Sequence, residues 1–297
     1  MDNERSTRVG CKIMAGLEGI TRMDTVGDVM TAWVVTVGPT DSLLTARDLM
    51  TRSKVSQLVV VDQRKRPVGF ISKRAIARFL LEDSTTRVLG DIPVSEAATD
   101  STPTLRMNFP VFNAARLFDT ENIAYAVISN DNPLAGIMTE TDLCHYYSQK
   151  WPHKFRVADF MTRDFIFAKS NYPAVHVAHA IVFRQPSVPV IDEELVGILT
   201  LSNILSIREK TPTPTYGKLI GKQEKDVALT TTKELMTPNP ITTYEDTDLA
   251  QAAQIIITKG IGSLPVTDKE PKVVGLLTKH DIVKALGTIG RDLIVEV

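Results

Sequence analysis

The sequence predicts an α+β protein made of four β-α-β-β-α repeats that pair into two modules. The first observation is a phrase of glycine, two apolar residues, a hydroxyl residue and, three positions later, a small or polar residue. This glycine phrase occurs four times, at Gly69–Ala75, Gly136–Asp142, Gly197–Asn203 and Gly275–Asp281. The second observation is that the same order of predicted elements surrounds every copy, as in a repeat protein. The third is the length, because 297 residues suffice for two modules with a core each.

Each repeat begins with a short leading segment, typically an apolar residue, a methionine and a threonine. We assign this segment to Val29–Thr31, Ile92–Val94, Phe160–Thr162 and Leu235–Thr237. A short run of β-prone residues follows and predicts the first strand, as in Trp33–Val37 and Pro240–Thr243.

A helix follows the first strand, and its ends are marked in the sequence. Asp41 and Asp246 are predicted N-caps, because their side-chain oxygens can accept from the free amides of the first turn. Pro110 and Pro173 suit the first helical position, where no amide hydrogen bond is lost. Gly260 suits the left-handed residue that closes a helix. Apolar residues recur at helical spacing between these ends, which predicts one buried face.

Two strands and a second helix complete each repeat. Compact β-rich runs predict the second strand at Gln57–Val61, Tyr125–Ile128, Ser187–Ile191 and Ser263–Val266. A polar turn leads from each run into the strand that contains the glycine phrase, and a helix is predicted after the phrase. A three-stranded unit is marginal alone, so we expect the repeats to pack in pairs.

This pattern resembles the cystathionine-β-synthase (CBS) domain family, since the order and spacing of the parts match in all four repeats. The resemblance implies four CBS motifs that form two Bateman modules in a disc-like assembly, with clefts for adenosine-containing ligands. We place repeats 1 to 4 at residues 24–84, 85–150, 154–207 and 232–290. Residues 1–23 are an N-terminal extension, and residues 208–231, with their proline, glycine and charge, predict an exposed insertion.

The resemblance places a ribose-binding aspartate at the end of the glycine phrase, at Asp142 and Asp281. A carboxylate can accept hydrogen bonds from both ribose hydroxyls, and its charge strengthens them. Thr139 and Thr278 would supply a hydroxyl near the sugar or the first phosphate. The same residues also suit a plain helix cap, which stays open as an alternative, and the two roles are compatible. The glycine is expected to permit close approach of the backbone.

By resemblance, the adenine base would lie between apolar walls and backbone groups near the first and second strands. In repeat 4 these residues are Ile241, Thr242, Ile261, Gly262, Ser263, Leu264 and Pro265. In repeat 2 they are Val94, Ser95, Ile123, Ala124 and Tyr125. The phosphates would meet basic side chains at the mouth of the cleft, either Lys279 and His280 or, from the facing repeat, Lys73 and Arg74.

Repeats 1 and 3 depart from the ribose-binding pattern. Ala75 offers no acceptor, so a standard site in repeat 1 is not expected. Asn203, which follows Thr200 as Asp281 follows Thr278, can bond one hydroxyl without a charge and leaves a weak site open. We therefore expect at most one strong site in each module, in repeats 2 and 4.

Composition narrows the function classes. The net charge of −1 provides no basic field for nucleic acid or an acidic membrane, and no apolar run approaches the roughly 18 residues of a membrane span. Cys11 and Cys144 lack metal-like spacing and are expected to be unpaired thiols in a reducing cytoplasm. His176 and His179 lie three apart on a predicted helix, but further metal ligands are not visible, so no metal is expected.

The sequence contains no P-loop, Rossmann fingerprint, nucleophile elbow or Cys/His constellation, so no enzyme activity is expected. We expect a stand-alone regulatory protein that binds AMP, ADP, ATP, S-adenosylmethionine or another adenosyl compound as a regulatory ligand, not as a cofactor. Reorientation of a module would signal to an unidentified effector protein, or to a second copy in a homodimer. A ligand-free scaffold for oligomerisation is the alternative, and an enzyme acting on adenosine compounds is a weaker third.

Overall fold

The computed structural model describes residues 23–83, 87–100, 103–129, 134–206, 230–270 and 272–295. Most of the predicted extension and of the predicted insertion lies outside these ranges, as does Cys11. Within them the chain folds as four α+β repeats with four small sheets, which confirms the predicted fold class. None of the helices in these ranges is long and apolar enough to cross a membrane.

Repeats 1 and 2 form the first module. Repeat 1 consists of α1 (Val26–Val29), β1 (Thr36–Val37), α2 (Leu43–Arg52), β2 (Gln57–Val61), β3 (Pro67–Ser72) and α3 (Lys73–Glu82). Repeat 2 consists of a 3₁₀ turn (Val94–Glu96), β4 (Thr104–Leu105), α4 (Val111–Thr120), β5 (Tyr125–Ser129), β6 (Leu134–Thr139) and α5 (Glu140–Lys150).

Repeats 3 and 4 form the second module. Repeat 3 consists of a 3₁₀ turn (Val157–Asp159), α6 (Ala174–Phe183), β7 (Ser187–Ile191), β8 (Leu195–Thr200) and α7 (Leu201–Ser206). Repeat 4 consists of α8 (Thr232–Leu235), β9 (Thr237–Pro238), β10 (Thr243–Tyr244), α9 (Leu249–Lys259), β11 (Ser263–Thr267), β12 (Val273–Thr278) and α10 (Lys279–Val295). The four predicted second strands, now β2, β5, β7 and β11, are therefore confirmed.

Each repeat builds its sheet in the same way. A first strand pairs in parallel with the second strand, which forms an antiparallel hairpin with the third. In repeat 3 the first strand is reduced to one parallel bridge between Ala168 and Val190. Successive side chains of a strand point to opposite faces of the sheet. Leu58 packs into the helical core of repeat 1, whereas its neighbour Val59 lies in a buried cluster with Val127 of repeat 2.

The leading segment of each repeat crosses to the sheet of its partner. There it pairs in antiparallel fashion with the third strand, the strand that carries the glycine phrase. The crossed pairs are Thr31 with Ile137, Thr99 with Phe70, Thr162 with Leu276 and Thr237 with Ile198. Repeat 1 is thereby bound to repeat 2, and repeat 3 to repeat 4.

The crossing explains why the phrase contains glycine. A Cβ added to Gly136 would lie 2.7 Å from the Sδ of Met30 and 2.9 Å from the carbonyl oxygen of Thr31. One added to Gly275 would lie 2.7 Å from the Sδ of Met161. Among the described glycines only Gly260 has a positive φ, so the phrase glycines are not required by backbone conformation. They permit close approach, as expected, but it is the partner repeat that approaches.

The two modules pack against each other within a single chain through their helices. Helices α4 and α5 of repeat 2 contact α9 and α10 of repeat 4, and one buried cluster runs through both repeats. Gly287 and Gly290 bring α10 close to α4, because a Cβ on Gly290 would lie 2.7 Å from the Cβ of Phe112. Helix α3 of repeat 1 packs more lightly on α6 and α7 of repeat 3.

The helix ends show where local patterns were insufficient. Gly260 closes α9 with φ 63°, as predicted. The predicted N-caps Asp41 and Asp246 are wrong, since Ser42 caps α2 and Asp248 caps α9. Asp41 accepts a hydrogen bond from the amide of Gly38 instead and closes the preceding turn.

Two further expectations near repeats 2 and 3 are corrected. Pro110 and Pro173 occupy the N-cap position, one residue before the helix. The leading segment of repeat 2 is not Ile92–Val94, because the residue that crosses to β3 is Thr99. The carbonyl of Ile92 instead accepts from the amide of Leu43, at the start of α2.

The crossing predicts that replacing a glycine of the phrase by alanine destabilises the protein more than replacing a glycine with open space around it. In Gly69→Ala the new Cβ would clash with the backbone carbonyl of Thr99, which is held in the crossed pair. We expect this change to lower the free energy of unfolding by about 1–3 kcal/mol, as overpacking does. A Cβ on Gly262 has no atom within 4 Å, so Gly262→Ala should stay within about 0.5 kcal/mol of the wild type. Urea unfolding of both variants tests this, and equal losses would contradict it.

Candidate functional site

The hydroxyl and terminal residues of the glycine phrase form a helix cap in three repeats. In repeat 4, Oδ2 of Asp281 accepts from the amide of Thr278 at 2.7 Å and from its hydroxyl at 2.8 Å. Asp142 and Asn203 make the same two bonds, Asp142 with Thr139 and Asn203 with Thr200. The cap is therefore common to charged and neutral residues. It does not by itself distinguish a ligand site.

The second polar atom of each capping residue does distinguish the repeats. Oδ1 of Asp142 accepts from the hydroxyl of Thr31, which the crossing brings over from repeat 1, at 2.7 Å. The Nδ2 of Asn203 donates to the hydroxyl of Thr237 at 3.2 Å. Within the described part of the chain, no hydrogen bond reaches Oδ1 of Asp281.

Asp281 is also buried, with 9% of its surface exposed. Burial raises the pKa of its carboxyl group, and this effect outweighs the hydrogen bonds from Thr278 and the charges of His280 and Lys284, which lower it. A desolvated carboxylate with an unused acceptor gains more from a new donor than an exposed one does. Asp281 is thus the carboxylate best prepared to accept hydrogen bonds from a ligand.

The predicted base walls of repeat 4 divide into accessible and buried residues. Ile241, Thr242 and Gly262 are exposed, and Ile261, which precedes Gly262, is half-buried. The carbonyl of Gly262 accepts from the amide of Lys279 at 3.2 Å, which ties the wall to the first residue of α10. The remaining members lie buried in β11: Ser263, Leu264 and Pro265.

The predicted base walls of repeat 2 are brought together only in part. Ile123, Ala124 and Tyr125 lie at the start of β5, and the carbonyl of Ala124 accepts from the amide of Glu140 at 3.1 Å. Val94 and Ser95 are not at the first strand of repeat 2, which is Thr104–Leu105. They form the 3₁₀ turn before it, where Val94 is buried in the core of repeat 1.

The predicted phosphate-binding residues of repeat 4 point toward the other module. The Nζ of Lys279 donates to the hydroxyl of Thr141 at 2.8 Å. The Nδ1 of His280 lies 3.0 Å from Oε1 of Glu140, and its Nε2 lies 3.6 Å from Oδ1 of Asp119. All three partners belong to α4 and α5 of repeat 2. The hydrogen bond with Glu140 raises the pKa of His280 despite its partial burial.

The basic pair of repeat 1 lies at the same junction. The Nζ of Lys73 is 3.4 Å from the hydroxyl of Ser202 in repeat 3. Burial lowers the pKa of Lys73 and of Arg74, and the charge of Glu140 acts against this effect at Arg74. The start of each phrase helix therefore faces the junction between the modules, where basic side chains outnumber the acidic ones that contact them.

A family model of the CBS domain matches residues 26–82, 91–149, 157–210 and 233–288, one match for each repeat. The chain belongs to the CBS domain family. The two pairs of crossed repeats are accordingly two Bateman modules of CBS motifs.

Several known proteins are similar to this chain over most or part of its length. Protein MJ1225 of Methanocaldococcus jannaschii is 28% identical over 268 residues, which cover 84% of this chain and 94% of the relative. Its crystal structure, described as a proposed archaeal homologue of γ-AMPK, matches with a TM-score of 0.77 and covers 88% of this chain and 99% of that one. A conserved protein from Pyrococcus horikoshii matches with a TM-score of 0.60 at 20% identity over the same shares, which shows the common fold. The chain spans 20% of YtoI of Bacillus subtilis, to which it is 42% identical over 106 residues.

Sequence reasoning found three of the four leading segments but missed that they cross between CBS motifs. The crossed threonines are Thr31, Thr99, Thr162 and Thr237. Three of them follow a methionine, the pair by which the sequence marked the leading segments, and Thr99, which follows Ala98, was missed. Glu140, which joins His280, was also missed, because its partner is 140 residues away.

Of the histidines and cysteines from which no metal site is expected, His176, His179 and Cys144 lie within the described part of the chain. His176 and His179 are exposed on α6, and the ring of His179 lies against Phe183 at 4.5 Å between centroids. The described ranges contain no group of three or more His, Cys, Asp and Glu side chains suited to a metal ion. Cys144 is a buried free thiol.

The contacts of His280 predict a pH-dependent stability. Because its folded pKa is raised, the bond with Glu140 stabilises the fold fully below about pH 6.5 and is lost as the pH rises through the raised value. Wild type should therefore lose more stability than His280→Gln between about pH 6 and pH 8.5 in urea unfolding. His176→Gln, exposed on α6, is the control. An identical pH dependence for wild type and His280→Gln would contradict the assignment.

Proposed function

We propose that this chain is a regulatory protein that binds an adenosine-containing ligand in the cleft of CBS motif 4. AMP, ADP, ATP and S-adenosylmethionine are the candidates, each as a regulatory ligand rather than a cofactor. Asp281 accepts hydrogen bonds from the ribose hydroxyls through Oδ1. The half-buried and exposed residues beside it, Ile241, Ile261 and Gly262, contact the base.

The observation that carries this proposal is the burial of Asp281 together with its unbonded oxygen. It combines a buried carboxylate, a raised pKa and an oxygen with no hydrogen bond in the described part of the chain. Such a group costs folding free energy, and a ribose diol supplies the two donors that would offset this cost. A cap that served helix α10 alone would function equally well with the neutral residue found in motif 3, Asn203.

The proposed signal passes through the two residues before Asp281. Lys279 and His280 contact Thr141 and Glu140 at the start of α5 in the other module. A ligand that draws Lys279 or His280 toward its phosphate must weaken these bonds between modules. The ligand would then shift the population of module orientations, with a coupling of about 1–3 kcal/mol available to a partner.

Two similarities support a sensing role. The relative MJ1225 matches over nearly its whole length and is described as a proposed homologue of γ-AMPK. The four CBS matches cover residues 26 to 288 with short gaps, which leaves little of this chain for a catalytic domain. We therefore propose an energy-sensing protein without enzyme activity that acts in the cytoplasm on an effector protein, or on a second copy in a homodimer.

A scaffold role is favoured for the first module alone. The cap of motif 2 is fully bonded through Thr139 and Thr31, and motif 1 has Ala75 in place of an acceptor. This module would hold the second module in place and present the partner surface.

Asp281→Asn tests the proposed site. Asparagine can keep the cap, as Asn203 does, but it removes the charge that strengthens the ribose hydrogen bonds. We expect affinity for the tightest of the four candidates to fall about 10- to 100-fold, equivalent to about 1.4–2.8 kcal/mol, by isothermal titration calorimetry. Stability without ligand should be unchanged or higher, because a buried charge has been removed.

The matched change is Asp142→Asn in motif 2. We expect it to alter affinity less than threefold, since Thr31 already occupies Oδ1 of Asp142. A loss of binding in Asp142→Asn but not in Asp281→Asn would show that the ligand binds in motif 2 and that the assignment to motif 4 is wrong. Absence of binding by wild type to all four compounds would reject the sensor and leave the scaffold.

A further inference from the structure

The residue opposite the phrase hydroxyl lies beside the helix cap in every CBS motif. Strand register pairs Gln57 with Ser72, Tyr125 with Thr139, Ser187 with Thr200 and Ser263 with Thr278. Directly opposed residues of an antiparallel pair project from the same face of the sheet. The side chain at this position, which we call the facing residue, therefore sets how much room remains beside the Thr–Asp pair.

In the second module the facing residues are small. Ser187 and Ser263 meet at the pseudo-twofold junction of the module, with 2.6 Å between their hydroxyl oxygens, and both are buried. The contact leaves the wall next to Thr278 lined by a side chain of two heavy atoms. The facing position of motif 4 therefore holds no ring that a flat base would have to displace beside Thr278.

In the first module the facing residue of motif 2 is Tyr125. Its ring stacks on Phe70 of motif 1, with 3.8 Å between centroids and 17° between the planes. Phe70 is 1% exposed, and Tyr125 also makes a side-chain hydrogen bond with Thr99 of the crossed segment. An aromatic ring of the protein thus lies stacked on the face of the sheet next to Thr139, where motif 4 carries Ser263.

The carboxylate of Asp142 in motif 2 is likewise occupied by side chains of the protein. Thr31 donates its hydroxyl to Oδ1 of Asp142 at 2.7 Å, while Oδ2 is taken by Thr139. Aromatic stacking and a hydroxyl donor are the two interactions that an adenosine would offer. In motif 2 the protein supplies both from its own side chains.

We propose that Tyr125 and Thr31 close the cleft of CBS motif 2, so that the chain has one carboxylate-anchored ligand site, in motif 4. This inference rests on the proposed function for the identity of the ligand class. It assigns two residues, one by its ring and one by its hydroxyl, as determinants of which motif binds. It also implies that the closed cleft can be opened by two small substitutions.

The test is calorimetric titration of wild type and of the double variant Thr31→Val/Tyr125→Ser with AMP and, in parallel, S-adenosylmethionine. Serine at position 125 reproduces the facing residue of motif 4. Valine at position 31 has nearly the size of threonine but lacks the hydroxyl that donates to Asp142. We expect one ligand per wild-type chain and two per variant chain. Adding Asp142→Asn to the double variant should weaken the second site at least tenfold and leave the first unchanged.

The outcomes separate this inference from the proposed function. Binding by the double variant alone would support the closed cleft and reject the native site in motif 4. One ligand for both proteins, or two for wild type, would overturn the inference while leaving the function in place. No binding of either compound by either protein would overturn both.

The reciprocal variant Ser263→Tyr keeps the test decisive if the double variant does not fold. It places the ring of motif 2 beside Thr278 and leaves Asp281 unaltered. We expect at least a tenfold loss of affinity in a protein whose thermal midpoint shows a folded chain. Ser263→Thr, which keeps the hydroxyl, is the matched control and should lose less than threefold. Undiminished affinity in folded Ser263→Tyr would show that the facing residue does not control the cleft.

Discussion

The crossing of each leading segment onto the third strand of its partner is the constraint on which the rest of the structure depends. It binds CBS motifs into modules through backbone hydrogen bonds, such as those between Thr31 and Ile137 at 2.9 Å. It also requires glycine at the crossing point, because the methionine of the segment fills the space of a Cβ at Gly136 and Gly275. A module is therefore one folding unit, although each sheet is small. The glycine of the repeated phrase is explained first of all by this contact between partner motifs.

The same crossing makes the three Thr–Asp and Thr–Asn caps unequal. The crossed threonine bonds the capping residue in two motifs, Thr31 with Asp142 and Thr237 with Asn203. By contrast, no hydrogen bond reaches Oδ1 of Asp281 in the described chain. Asp281 remains buried with an unused acceptor, and its raised pKa reflects the cost of this arrangement. A binding site often retains a group that is poorly satisfied without its ligand, and here the neighbouring Lys279 and His280 connect that group to the other module.

Local pattern predicted the strands and the repeat order, because each second strand is a compact run of β-prone residues between polar turns. It misplaced helix starts by one or two residues, since several adjacent side chains could serve as caps, as with Asp41 and Ser42. It misassigned the leading segment of motif 2, where no methionine precedes Thr99. The Thr–Asp pairs were found, but not their difference, which depends on Thr31, 111 residues away from Asp142. Contacts of that range leave no trace in a single sequence.

The proposed function requires an adenosyl ligand to bind the unused oxygen, Oδ1, of Asp281. A crystal structure of the wild-type chain with the tightest-binding candidate compound tests this most directly. We expect one ligand per chain in the cleft of motif 4, with the ribose hydroxyls at hydrogen-bond distance, about 2.7 Å, from Oδ1 of Asp281. A ligand held by Asp142 in motif 2, or one in motif 4 whose ribose does not contact Asp281, would contradict it.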